Sequence, residues 1–177
     1  MRMTRALAIG AGIVALTATA GCGGGDKKSG SGLPEAKDIA SVASYVNKYT
    51  SCTGVTEGDK YDNVHVGENE SWGTEEAKDP SWGIKERAVC KDASGAAITL
   101  LITPDMRKFQ SAVKKNNEKV LVGQDFAVVP VGKDAAPALT KSDLRFLTCD
   151  PGFSVPSGYQ KEAALVDGCV LTDYFPG

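Results

Sequence analysis

Acidic residues crowd one short stretch of the chain: Glu68, Glu70, Glu75, Glu76 and Asp79. Two carboxylates held a fixed distance apart across a cleft can do glycosidase-type work, one as acid and the other as base or nucleophile. Clustered carboxylates can also hold calcium, but the D-x-[DN]-x-[DN]-G order that wraps the ion is absent and no metal site is expected. An acid-rich loop without these features reads first as a solvated surface. A cell-envelope hydrolase using loop carboxylates such as Glu75 and Glu76 therefore stands as the alternative to a non-enzymatic reading.

The one histidine is His65. Nucleophilic catalysis of the Ser/His/Asp kind needs an imidazole aimed at the nucleophile, whereas His65 alternates with Val64 and Val66 in "NVHV". That pattern predicts an edge strand with the ring exposed, away from the valine face. Zinc sites built on several histidines are excluded, and G-x-S-x-G, the P-loop pattern and G-x-G-x-x-G are absent. No enzymatic activity and no cofactor are expected. Trp72 and Trp82 each sit in an S-W-G triplet within a long loop, where binding residues gather. They are the candidate ligand-binding residues, grip for a sugar or a partner peptide, unless they fold down to roof the sheet.

These residues need elements to position them. Pro34 suits a first helical turn, and Ile39, Val42, Ala43, Val46 and Tyr49 recur every three or four positions, predicting an amphipathic helix over 34–50. Residues 53–83 read as surface loop. "IKERAVC" and "AAITLLI" flank Asp92-Ala93-Ser94-Gly95, which predicts a β-hairpin whose second arm, apolar on both faces, lies centrally in a sheet. Thr103 and Pro104 then open a second helix lined by Met106, Phe109 and Val113. Its other faces carry Arg107, Lys108, Lys114 and Lys115, followed by Lys119: a solvated surface, or contacts for headgroups or an acidic partner. "KVLVGQDFAVVPV" gives one or two strands broken at Gly123-Gln124-Asp125, and Leu144, Phe146 and Leu147 a short element before Cys149. "ALVDGCVLTDYF" supplies a last strand. The expected fold is α+β, an antiparallel-dominated sheet with two main helices on one face and two disulfides.

Five cysteines are present. If Cys22 is set apart, Cys52, Cys90, Cys149 and Cys169 remain, and four cysteines allow three pairings. Cys52 with Cys90 and Cys149 with Cys169 are expected, because each pair joins adjacent segments. No C-x-x-C spacing suggests redox or zinc chemistry, so structural disulfides and an exported chain are expected.

The N-terminus agrees with export. Arg2 and Arg5 precede an uncharged run from Ala6 to Ala20, the pattern of a secretory signal over 1–21 and shorter than the roughly 20 apolar residues of a membrane span. Thr19-Ala20-Gly21-Cys22 resembles the lipobox of bacterial lipoproteins, with Thr19 where that family most often carries Leu. The resemblance implies cleavage before Cys22 and transfer of a diacylglyceryl group to its thiol. Two acyl chains anchor stably where one holds only marginally. Residues 22–33 would then be the lipidated cysteine and a Gly/Ser/Lys tether reaching about 17 to 20 Å, with Lys27 and Lys28 near the headgroups. Residues 34–177 would form one extracytoplasmic domain, whose size of about 145 residues buries roughly 68 to 70% of its unfolded surface.

Loss of Arg2 and Arg5 from 20 basic residues, against 22 acidic ones, moves the formal net charge from −2 to −4. No basic stripe suggests nucleic acid. With "SWGIKERAVC", "LITPDMRKFQ", "VGQDFAVVP" and "FLTCDPGF" behind the lipobox, the chain resembles the small lipoproteins of high-GC Gram-positive bacteria that carry no assigned activity. The resemblance implies localisation at the outer side of the cell membrane. The expected function is a lipid-anchored binding or accessory module whose partners are the membrane, through the lipid, and an envelope protein or small ligand.

Overall fold

A computed structural model describes residues 32–65 and 71–176. Residues 1–31, with the expected signal segment, Cys22 and most of the expected tether, fall outside them, as do Val66, Glu68 and Glu70. In chain order the elements are helix α1 (Ile39–Val46), strand β1 (Thr53–Glu57), helices α2 (Lys60–His65) and α3 (Thr74–Lys78), a 3₁₀ turn (Pro80–Trp82) and strands β2 (Glu86–Lys91) and β3 (Ala97–Ile102). Helix α4 (Met106–Asn116), strands β4 (Val120–Val122) and β5 (Phe126–Pro130), helix α5 (Ala135–Leu139) and strands β6 (Arg145–Thr148), β7 (Lys161–Ala163) and β8 (Val170–Thr172) follow.

The strands form one eight-stranded sheet in the order β1-β2-β3-β5-β4-β6-β8-β7, and every pairing is antiparallel. One row of partners crosses it: Glu57, Ala88, Leu100, Val128, Leu121, Phe146, Thr172 and Lys161. The turn at Gly95, with φ 87°, closes the expected hairpin, since such a φ favours glycine.

The α+β class, the antiparallel sheet and the two disulfides are as expected, but the helices do not share a face. Ile39, Val42, Ala43 and Val46 of α1 pack with Ile98, Leu100, Phe126, Val128 and Phe146. Phe109, Ala112 and Val113 of α4 pack with Leu101, Val122, Ala127, Val129 and Leu147. These strand residues alternate along β3, β5 and β6, so α1 and α4 cover opposite sides. The reason lies in β3 itself: all six of its residues are buried, and a strand apolar on both faces needs a layer on each.

Local chemistry moves several boundaries. Helix α1 starts at Ile39, capped by Asp38, whose carboxylate accepts from Ser41 N at 2.8 Å. Residues before it are tied elsewhere: the Pro34 carbonyl accepts from Gln124 N at 2.8 Å, and Ala36 N donates to Asp125 Oδ1 at 2.9 Å. Asp105, not Thr103, caps α4 by accepting from Lys108 N at 3.0 Å. Thr103 instead donates its N–H to Asp125 O at 2.8 Å, continuing the sheet. Of the segment "NVHV", Asn63, Val64 and His65 form the end of helix α2 and not a strand, and Val66 lies outside the described residues; the edge strand of this region is β1.

Both disulfides join the expected partners. Cys52–Cys90 ties the chain after α1 to β2, with Cα atoms 5.2 Å apart. Cys149–Cys169 ties the chain after β6 to the approach to β8. The basic face of α4 has structural work here, because the Arg107 guanidinium donates to Leu165 O and Lys114 Nζ donates to Asp167 O at 2.7 Å. Those carbonyls lie just before Cys169.

Candidate functional site

Between α2 and α3 lies a cleft of about 390 Å³, walled by Asp62, His65, Ser71 and Trp72, with Glu75 and Glu76 among its lining. Its back is built on Arg87 of β2, a guanidinium whose side chain is only 3% exposed. Five donors in a planar fork suit such a hub. Nη1 and Nη2 meet the two Asp62 oxygens at 2.9 and 3.2 Å. Nη1 also reaches Gly58 O at 2.7 Å, and Nε reaches Trp72 O at 3.1 Å. Gly73 follows at φ 92°, in the left-handed region. This turn directs the Trp72 carbonyl to Arg87 and to Thr99 Oγ1, which donates at 2.9 Å.

Asp62 is the other centre. Besides Arg87, its carboxylate accepts from the Ser71 hydroxyl and from Thr74 Oγ1 at 2.8 Å. Burial works to raise its pKa, and the hydrogen bonds from Ser71, Arg87 and Thr74, with the arginine charge, overcome burial and hold it below the ordinary carboxylate value. The Ser71 hydroxyl is committed in turn, donating to Asp62 and accepting from Arg87 Nη2. The cleft wall is therefore a closed set of donors and acceptors that fixes the α2 and α3 segments on the sheet.

His65 is half-buried, not the exposed ring expected. It stacks on Tyr61 with centroids 4.1 Å apart and planes 10° apart. Lys91 Nζ donates to Nε2 at 3.2 Å, so Nδ1–H donates to the Tyr61 carbonyl at 2.8 Å. Both ring nitrogens are thereby engaged. Tyr61 lies 2% exposed beneath it.

The tryptophans stand edge to face, centroids 5.3 Å apart at 74°, and their roles separate. Trp82 is 5% exposed and packs on Phe109 at 5.9 Å, roofing the α4 side of the sheet. Trp72 is half-buried and lines the cleft. Family models, curated proteins and solved structures offer no match to this chain. The site is thus read from its own chemistry.

Of the acids, Glu75 is exposed and pairs with Lys78 at 2.9 Å. Glu75 and Glu76 are consecutive on the five-residue α3, and adjacent helical positions do not face each other. Asp79 caps the 3₁₀ turn through Ser81 N at 2.8 Å. Sequence reasoning singled out Trp72, Glu75, Glu76 and His65 and missed Asp62, Arg87, Ser71 and Thr74. Among the described residues no cluster of three or more histidine, cysteine or acidic side chains could hold a metal.

Proposed function

We propose that this chain is a lipid-anchored, extracytoplasmic binding or accessory module that holds a ligand or partner near the membrane. One observation carries the reading: the disulfides pair four of the five cysteines with one another, and the fifth, Cys22, stands where the apolar run ends and the glycine-rich tether starts. Disulfides suit an oxidising compartment, and a diacylglyceryl thioether supplies the two chains that stable anchoring needs. Among the described residues no helix is long and apolar enough to cross a membrane, so attachment through Cys22 is the anchor this reading uses.

The ligand contact in this reading is the cleft beside Trp72. Its lining offers the Trp72 indole and the Glu75 and Glu76 carboxylates on a framework already fixed by the Arg87–Asp62 pair, which favours holding a small polar ligand or a peptide segment without reorganisation. Trp82 backs Trp72 and does not itself touch the ligand. The test uses the anchored protein in its own envelope. Cys22→Ala should move the protein from the membrane fraction to the soluble one, and unchanged retention contradicts the anchor. A photo-crosslinker at the cleft rim, replacing Glu76, should give an adduct that Trp72→Ala abolishes; an adduct indifferent to Trp72 contradicts the cleft.

A further inference from the structure

The tether enters the fold at one end of the sheet. Pro34 O and Ala36 N are hydrogen-bonded to Gln124 and Asp125 in the β4–β5 turn, so the chain leading from Cys22 leaves the domain beside that turn. The register shows what shares this end. From the row through Leu121, Phe146, Thr172 and Lys161, one step toward the β4–β5 turn reaches Val122 and Arg145. The same step reaches Asp173 and Gln160, whose N–H donates to Asp173 Oδ1 at 2.7 Å. Tyr159 and Tyr174 lie one residue further out.

These two tyrosines belong to an aromatic series that climbs from the core to the surface. Phe146 is buried at 1% and touches Phe153 and Phe175, centroids 5.6 and 5.0 Å away. Phe153 approaches Tyr174 at 6.0 Å, and Tyr174 approaches Tyr159 at 4.9 Å. Tyr159 is 50% exposed. Arg145 Nη2 donates to Oε1 of Gln160, the residue after Tyr159, at 3.4 Å. The opposite end of the sheet differs: it carries the Asp92–Gly95 turn and the exposed Lys133 and Asp134 after β5.

We propose that the tether end of the domain docks on the bilayer surface, with Tyr159 and Tyr174 seated at the headgroup level. The proposal rests on lipidation of Cys22. Three strand spacings of about 4.8 Å separate β4 from β7, whereas Lys133 lies beyond the full length of β5 from the turn that holds Pro34 and Ala36, so acyl chains on Cys22 bring this end, and not the Lys133 end, to the membrane. Tyrosine has an apolar ring and a polar hydroxyl, the combination enriched where hydrocarbon meets headgroup.

The test uses the full mature lipidated chain, both disulfides closed, in vesicles of phosphatidylcholine and phosphatidylglycerol. A nitroxide is placed through S157C, beside Tyr159, or through K133C at the far end, and its collisions with a water-soluble nickel chelate are measured. The expected result is a collision rate at position 157 reduced about threefold or more relative to position 133, as for a group at the membrane interface. Y159S/Y174S should restore the rate at 157 while the protein still floats with the vesicles. Equal rates at both positions on vesicle-bound protein overturn docking and leave the anchor intact. Shielding that disappears when the protein is diluted over the vesicle surface assigns the patch to a second copy and also overturns docking. Mature protein that lacks acyl groups and fails to float removes the anchor reading, and docking with it.

Discussion

Arg87 and Asp62 meet fork to fork across 25 residues of sequence, at 2.9 and 3.2 Å, and between them they hold the described segments that line the cleft. Breaking a buried pair by removing one partner costs about 3 to 5 kcal/mol, because the remaining charge is left uncompensated. Arg87→Met should lower stability in chemical denaturation by that amount. Arg87→Lys should recover only part of it, since an ammonium cannot reach Asp62, Gly58 and Trp72 together.

Acid should act on the same pair. The Asp62 pKa lies below its ordinary value of 3.8 in the folded chain, so its contribution to stability is fully present above that value and is lost as pH falls through the lowered one. Asp92 behaves alike: burial raises it, and hydrogen bonds from Ser94, Ala96 and Gly95 more than offset this. Denaturation midpoints measured against pH should fall below about pH 4, and Asp62→Asn, less stable at neutral pH, should show a shallower fall. An equal acid slope in the variant contradicts the assignment.

The two disulfides should differ in worth. Cys52–Cys90 closes a separation of 38 residues and Cys149–Cys169 one of 20, for which chain entropy gives about 4 and 3 kcal/mol. Paired Cys→Ala variants compared by urea denaturation should rank in that order, the first costing more also because both its sulfurs are in the core.

Gly123 is needed for space. A Cβ there would lie 2.3 Å from Phe126 Cε1 and 2.7 Å from the Pro34 carbonyl. Gly123→Ala should cost about 1 to 3 kcal/mol by overpacking and should speed hydrogen exchange at Gln124 N–H, the donor to Pro34. Unchanged exchange would mean that the tether stem is not held there.

Trp72 and Trp82 should separate in their effects. Trp82→Ala removes a core ring and should cost about 3 to 5 kcal/mol; Trp72→Ala, at the cleft wall, should cost clearly less in the same denaturation assay. Equal losses contradict the division between roof and wall.

Much of the framework was legible because its signals are local. The hairpin around Gly95, the stripe of α4 and both disulfide pairs follow from turn chemistry, spacing and adjacency. Helix α2 was not legible: the alternation in "NVHV" favours a strand, while burial of Tyr61 and the reach of Asp62 to Arg87 select a helix. Helix α5 is short, and Pro137 masks its pattern. The placement of α1 and α4 on opposite faces was implicit in the doubly apolar β3 but depends on tertiary cover. In the cleft, Trp72 stood out by type, whereas Asp62 and Arg87 did not, because a charge pair distant in sequence leaves no periodic trace.

Lipid on Cys22 is the claim from which the membrane assignment and the docking face descend. Intact-mass measurement of the mature protein, taken from native membranes, tests it most directly. The account predicts a chain that begins at residue 22 and carries the added mass of at least two acyl chains. A bare Cys22, or a chain that still carries residues 1–21, contradicts it.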